Sequence, residues 1–89
     1  MEMEVIFDPA KDRANIAKHG LSLAEAGGFD FDLAFVEIDT RTDYGETRYR
    51  AFARMNGVGF CLAFTIDGTS LRPISYRRAH EKEMRRYGR

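Results

Sequence analysis

The hydrophobic pattern at the start of the chain predicts a short strand followed by a helix. Residues 5–7 are apolar, and the helix is expected to follow them directly. Asp8 can cap its first turn and Pro9 suits the first helical position. Gly20 lies where such a helix ends, because glycine readily adopts the left-handed conformation of a C-cap. Ser22 and Glu25 have the spacing of a capping box, which predicts a second short helix before Gly27 and Gly28.

From residue 33 onward the pattern predicts strands. They are expected at residues 33–39, 48–55, 58–66 and 69–76. Asn56-Gly57 predicts a tight hairpin turn, and Asp67-Gly68 predicts a second one, since these residues tolerate positive φ. Pro73 cannot donate to a ladder, so it indicates a sheet edge or a bulge. A last helix is expected from about residue 78 to residue 87.

These elements predict an α+β fold. It has an N-terminal strand, two short helices, a four-stranded antiparallel meander sheet and a C-terminal helix. The chain has 89 residues, so residues 1–89 are expected to form a single domain.

Composition narrows the class of protein. The acidic N-terminus is not expected to act as a signal peptide, and the longest mostly apolar stretch, residues 58–66, is too short to cross a membrane. Cys61 is the only cysteine, which points to a reducing compartment. We therefore expect a soluble, cytoplasmic protein that contacts no membrane. No histidines, cysteines and acids cluster at metal-ligand spacing, so no metal or cofactor is predicted.

Charge is unevenly distributed although the formal net charge is zero. Residues 72–89 hold six arginines and one lysine against two glutamates, while residues 30–46 hold six acids and one arginine. This polarity suggests that different faces meet different partners. The chain has eleven arginines and three lysines. Arginine suits phosphate binding, but a GC-rich genome would produce the same bias.

The third strand carries the first candidate site. Alternation places Arg48, Arg50, Phe52 and Arg54 on one face, where guanidinium groups could hold a phosphate backbone and the ring could stack on a base. The alternative is an exposed sheet face whose arginines pair with acids.

His19 is the second candidate, because it titrates near neutrality and could transfer a proton. Alternatively, Lys18 and His19 are present only because cations suit the C-terminal end of a helix dipole.

Three stretches together resemble the BrnT toxins of bacterial type II toxin–antitoxin systems. They are residues 7–26, 45–49 and 72–87. The matching positions are Asp8, Lys11, Asn15, Lys18, His19 and Gly20, then Glu46 and Arg48, then Arg72, Ile74, Ser75, Arg77, Ala79 and Glu83. Phe7 replaces a tryptophan that is frequent in the family, and His80 replaces a small hydroxyl residue.

The resemblance implies a RelE-like ribonuclease fold and cleavage of RNA that halts translation. It also implies a cognate ribbon-helix-helix antitoxin of the BrnA type, whose complex with the toxin binds operator DNA.

RNA cleavage without metal requires cations around the phosphate and a group that transfers protons. We expect Arg48 and Arg77 to hold the scissile phosphate and His19 to transfer the proton, with Lys18 beside it. Arg50, Arg54 and Arg78 are expected to contact flanking phosphates, and Glu83 to orient an arginine.

Two other functions use the same residues. A non-catalytic RNA-binding module would hold RNA on Arg48, Arg50 and Phe52. A structural interaction protein would merely keep its charges solvated. If the protein is a toxin, we expect the antitoxin to cover the basic face and leave residues 30–46 outside the contact.

Overall fold

The computed structural model describes residues 3–87, which form one sheet with helices on both faces. The elements are β1 (Glu4–Val5), α1 (Pro9–His19), two 3₁₀ helices (Leu23–Gly28 and Phe31–Leu33), β2 (Phe35–Ile38), β3 (Tyr49–Met55), β4 (Val58–Asp67), β5 (Ser70–Arg78) and α2 (Glu81–Arg86). The predicted α+β fold is confirmed. No helix within residues 3–87 has the length and apolar character needed to cross a membrane.

The sheet has five strands in the order β1-β5-β4-β3-β2. Strands β2 to β5 form the predicted antiparallel meander. The short β1 adds a fifth strand, because it pairs in parallel with β5 through Glu4–Ser70 and Val5–Leu71. This pairing joins residues more than sixty positions apart, so no local pattern could have indicated it.

Both hairpin turns are present. Asn56 and Gly57 have φ angles of 52° and 79°, as the first predicted turn requires. The second lies one residue later than predicted. Asp67 still pairs with Ser70, so Gly68 (φ 61°) and Thr69 form the turn.

A β-bulge interrupts β5 next to Pro73. Phe64 pairs with Pro73 and Ala63 pairs with Ser75, so Ile74 is an extra residue in the ladder. In a regular strand Arg72 and Arg77 would point to opposite faces, because they are five residues apart. The extra residue restores the alternation, so both arginines lie on the same face of the sheet.

Helix α1 is capped as predicted, with the Asp8 carboxylate accepting from the Ala10 N–H at 2.8 Å and Gly20 at φ 73°. The buried Asn15 fixes this helix to β5. Its side-chain oxygen accepts from the Tyr76 N–H at 3.1 Å, and its amide donates to the Tyr76 carbonyl at 2.9 Å. The end of α1 is thereby held beside the strand that carries Ser75 and Arg77.

The sheet has a core on each face. The larger core lies under the 3₁₀ helices and includes Leu23, Leu62 and Tyr76. The smaller lies under α2, which packs Met84 onto Phe52 and Cys61 with Ala79 and Tyr87 at its margin. Met84 is fully buried, whereas Ala79 and Tyr87 are partly buried, and α2 begins at Glu81 rather than near residue 78 as expected.

Candidate nucleic-acid interface

Arginines gather on the α2 side of the sheet, beside the helix and beneath its end. We call this surface the arginine face and define it by Arg41, Arg48, Arg50, Arg72 and Arg77. Its centre is marked by the buried Cys61, whose thiol pKa is raised to about 11, mainly by burial. Arg77 is the β5 partner of Cys61, and Arg50 lies on the same face as Phe52, the β3 partner of Cys61. The positive charges of Arg77, Arg50 and Arg41 oppose the effect of burial on the thiol pKa.

Arg77 is held by Glu83 of α2. Two parallel hydrogen bonds of 2.9 Å join the guanidinium to both carboxylate oxygens. This pairing is the main reason why the pKa of Glu83 is lowered to about 2. Glu83 also accepts from the His80 N–H, so its carboxylate fixes both the start of α2 and the direction of Arg77. That matches the orienting role expected for Glu83.

Glu46 connects two strands of the arginine face. One of its carboxylate oxygens accepts from Arg72 at 2.9 Å and the other from Arg48 at 3.2 Å. The Arg48 guanidinium also lies 4.1 Å from the centre of the Tyr44 ring, a cation–π distance. Glu46 and Tyr44 together therefore limit how far Arg48 can move.

Arg50 is mostly enclosed beneath the end of α2. Its guanidinium donates to Glu37 at 2.5 Å and to the Tyr87 hydroxyl at 3.2 Å. The Tyr87 hydroxyl in turn donates to Glu37. The Arg50 Nε is buried and finds no acceptor within residues 3–87. A buried donor without a partner costs about 1–3 kcal/mol, so this orientation is held by the contacts around it.

Arg41 belongs to this surface although the sequence offered no signal for it. It donates through Nε and Nη2 to the two oxygens of the buried Asp39, at 2.9 and 2.8 Å. Tyr44 donates to the same carboxylate. These bonds, chiefly those from Arg41, hold the pKa of Asp39 far below its usual range. The Arg41 side chain remains 62% exposed, so it is a fixed but accessible cation.

His19 lies at the end of α1, beside a groove of about 240 Å³ formed with β5. Lys18, Asn15 and Ser75 also line this groove. The pKa of His19 is lowered from its ordinary value, first by partial burial and then by the positive charges of Lys18 and Arg77. The structure thus brings His19 into the electrostatic range of Arg77, and it leaves Lys18 exposed next to it.

Arg54 and Arg78 do not join this group. Arg54 lies beyond the buried Phe52 and forms two hydrogen bonds with Glu81 at the start of α2. Arg78 pairs with Phe60 and follows Arg77 directly, so it points to the opposite side of the strand.

The expectation that Phe52 offers an open stacking surface is wrong. Its ring is fully buried and stacks on Tyr87 at a centroid distance of 4.3 Å. Sequence alternation correctly placed it on the arginine side, but α2 covers that part of the sheet.

The expected separation of acidic and basic faces is wrong in part. Glu37, Asp39 and Glu46 come from the acidic stretch, yet they pair with arginines of the arginine face. Arg72 and Arg77 of the basic tail are neutralised in the same way. Two of these pairs, Arg50–Glu37 and Arg72–Glu46, join residues 13 and 26 positions apart, which the composition of a single segment cannot show. Within residues 3–87, no three histidines, cysteines or acids are placed to hold a metal ion.

Comparison with known proteins shows the family and the fold to which the chain is similar. The family model described as "Ribonuclease toxin, BrnT, of type II toxin-antitoxin system" matches residues 7–83. The crystal structure of the Brucella abortus ribonuclease toxin BrnT is similar, with a TM-score of 0.71 and 34% sequence identity over 89% of this chain and 99% of that one. No curated protein sequence matches. This chain, with its arginine face and its α1–β5 groove, belongs to the BrnT family of ribonuclease toxins of type II toxin–antitoxin systems.

Proposed function

We propose that this protein is a metal-independent endoribonuclease of the cytoplasm that inhibits translation. In the proposed reaction an RNA 2′-hydroxyl attacks the adjacent phosphate, the bond to the 5′-oxygen breaks, and a cyclic phosphate and a free 5′-hydroxyl are formed. A ribbon-helix-helix antitoxin of the BrnA type neutralises the protein, and their complex binds operator DNA. The observation that supports the catalytic part is that two arginines of one face, Arg48 on Glu46 and Arg77 on Glu83, are each held by a carboxylate, with His19 within reach of the charge of Arg77.

The arginines supply the electrostatic part of the catalysis. Negative charge grows on the phosphate oxygens in the transition state, and donors that are already fixed there stabilise it without reorganising. Glu83 fixes Arg77 and Glu46 fixes Arg48. A guanidinium has five N–H groups, so each arginine keeps donors for phosphate while its carboxylate holds it in place.

His19 is the proposed base. Because burial and neighbouring cations lower its pKa, the imidazole is mostly neutral at pH 7 and can accept the 2′-hydroxyl proton. The same ring, once protonated, can return the proton to the leaving 5′-oxygen. Lys18 would hold the RNA close to it.

The carboxylates of the arginine face support a mechanism without metal. Glu37, Asp39, Glu46 and Glu83 each accept hydrogen bonds from an arginine. A divalent cation would have to displace a guanidinium to bind any of them. Flanking phosphates are assigned to Arg50, Arg54 and Arg78. Arg54 would be reached only by RNA that passes around α2, and Arg78 only by RNA that continues past the end of β5 to the other side of the sheet.

The decisive experiment measures cleavage of a long RNA by the purified protein, with and without EDTA and with and without ribosomes. Cleavage that persists in EDTA and leaves 5′-hydroxyl ends is expected. The control is the double variant Arg48→Ala/Arg77→Ala, which should not cleave.

Each contrary result has a distinct meaning. Loss of cleavage in EDTA would contradict the metal-free mechanism. RNA binding without cleavage under every condition would favour the non-catalytic RNA-binding module.

A further inference from the structure

An unpartnered apolar surface lies on the side of the sheet opposite the arginine face. Two adjoining hollows, of about 330 and 260 Å³, share Met3, Phe31 and Leu71 and so form one continuous depression. We call it the apolar groove, and Val36 and Ile66 complete its floor. Val36 and Ile66 remain 43% and 41% exposed.

The groove continues to the edge of the sheet. Ile38 points to the same side as Val36, because the two residues are two apart in β2. Ile38 is 58% exposed and pairs with Tyr49, which pairs with the buried Phe64. A contiguous exposed apolar surface of this kind typically marks a protein–protein contact.

Charge around the groove is entirely of one sign. Residues 3–10, 20–40 and 55–71, which build most of this side, contain no lysine, arginine or histidine. Asp30 and Asp32 flank the groove residue Phe31; both are exposed, and neither makes a salt bridge within residues 3–87. RNA would be repelled here, and so would the acidic groove of a second copy.

The arginine face is a poor anchor by comparison. Its arginines already have carboxylate partners, so a binding protein would exchange existing ion pairs for new ones. Tight interfaces instead depend on a few large apolar or aromatic side chains that become fully buried. The apolar groove offers that kind of surface, and the rim offers attraction for a basic partner.

We propose that the antitoxin anchors itself in the apolar groove through an amphipathic segment whose apolar side chains fill the groove and whose lysines and arginines face the acidic rim. This inference rests on the proposed function only in taking the antitoxin as the partner. It moves the anchor away from the arginine face, where the sequence analysis had expected the antitoxin to bind. Segments that follow the anchor are free to reach around the sheet and obstruct RNA.

The test uses the full chain and the purified product of the small reading frame adjacent to its gene. The double variant Ile38→Ser/Ile66→Ser should bind that product at least about 30-fold more weakly than the unchanged protein, which is the loss typical of central interface residues. The matched control is Ile16→Ser on α1, since Ile16 is 46% exposed but lies outside the groove. Its affinity should change less than threefold.

Charge reversal tests the chemistry of the partner segment. Asp32→Lys should slow association at low salt, and the difference from the unchanged protein should shrink as salt is raised. An unchanged association rate would overturn the assignment of a basic segment.

Controls separate this inference from the ribonuclease proposal. All variants should keep the thermal midpoint of the unchanged protein within a few degrees and should cleave RNA equally when the antitoxin is absent. A protein that binds the antitoxin but cleaves no RNA would contradict the proposed function and leave the groove result valid. Three results would overturn the proposal that the antitoxin anchors in the apolar groove. They are an unchanged affinity of Ile38→Ser/Ile66→Ser for the product of the adjacent reading frame, failure of the unchanged protein to bind that product, and amide protection on binding that is confined to residues 48–55 and 72–87.

Discussion

Arg77 is the cation on which the proposed chemistry depends most, and it is oriented before RNA arrives. Its two hydrogen bonds to Glu83 are charge-assisted, a class of bond that contributes about 1.5–3 kcal/mol. The bulge at Ile74 brings Arg77 to the same side of the sheet as Arg72, and Glu46 joins Arg72 to Arg48. A flexible arginine would lose rotamer freedom on binding phosphate, whereas Arg77 has already lost it on folding.

The arginines are expected to divide into two groups by their kinetics. Arg48→Ala or Arg77→Ala should lower kcat by about 100-fold or more while RNA affinity falls far less, because a contact made mainly in the transition state is lost. Arg78→Ala should weaken RNA binding and reduce its salt dependence with kcat nearly unchanged.

Single-turnover cleavage and equilibrium binding over a range of salt concentrations measure the two effects separately. Arg54→Ala is a less clean comparison, since it also removes the contact with Glu81 that helps to hold α2. If Arg48→Ala, Arg77→Ala and Arg78→Ala changed cleavage and RNA binding alike, the division into catalytic and backbone-contact residues would be wrong.

His19 should govern the acidic side of the pH–rate profile. A base must be unprotonated, so kcat/KM should rise with pH and level off above the pKa of His19. Because that pKa is lowered, the midpoint should fall below about 6.5, the ordinary value for histidine.

The profile of His19→Gln tests this assignment against the unchanged protein. The variant should be much slower and should lack the acidic limb. Lys18→Gln is the matched control: removing its positive charge should move the midpoint toward higher pH without abolishing the limb. An unchanged limb in His19→Gln would assign the titration to another group.

At the scale of elements, α2 is held by the fit between one methionine and one glycine. Met84 is fully buried, and it lies so close to Gly59 that a Cβ there would approach its Cγ to 2.6 Å. Gly59 has an ordinary backbone conformation, so glycine is needed for the close approach of α2 and not for the turn of the chain. The same contact fixes Tyr87 over Phe52 and thus the boundary of the arginine face.

Met84→Ala should lower the free energy of unfolding by about 2–5 kcal/mol, as buried large-to-small changes do. Gly59→Ala should also destabilise, through overpacking rather than a cavity. The double variant should be less destabilised than the sum of the two single variants, because the smaller side chain relieves the clash.

Urea unfolding of the three variants measures this coupling, with Lys82→Ala on the exposed side of α2 as the control. Strict additivity of the Gly59 and Met84 changes would mean that α2 does not pack on the sheet as described.

At the scale of the whole molecule, the zero net charge conceals two different faces. One carries arginines held by carboxylates, and the other carries an apolar groove with exposed acids. The sheet between them is only one layer thick, so the two surfaces lie on opposite sides of a body of only 30 × 28 × 25 Å. RNA and antitoxin can therefore be assigned to opposite sides without a second domain.

Local signals in the sequence were sufficient for much of the fold. The caps of α1, the Asn56-Gly57 turn and the irregularity at Pro73 each depend on the conformational preferences of one or two residues. Alternation along β3 also correctly placed Arg48, Arg50, Phe52 and Arg54 on one face, since it follows from strand geometry alone.

The tertiary structure decided what covers each face and which charges meet. Phe52 is buried because α2 folds back over it, and Arg50, Arg54 and Arg72 find carboxylates that are 13, 27 and 26 residues away in sequence. Arg41 joined the candidate site only through the bend after β2, and the apolar groove arose from strands that are distant in sequence. Periodicity specifies which side chains point together, but burial and ion pairing depend on contacts between segments that no local pattern encodes.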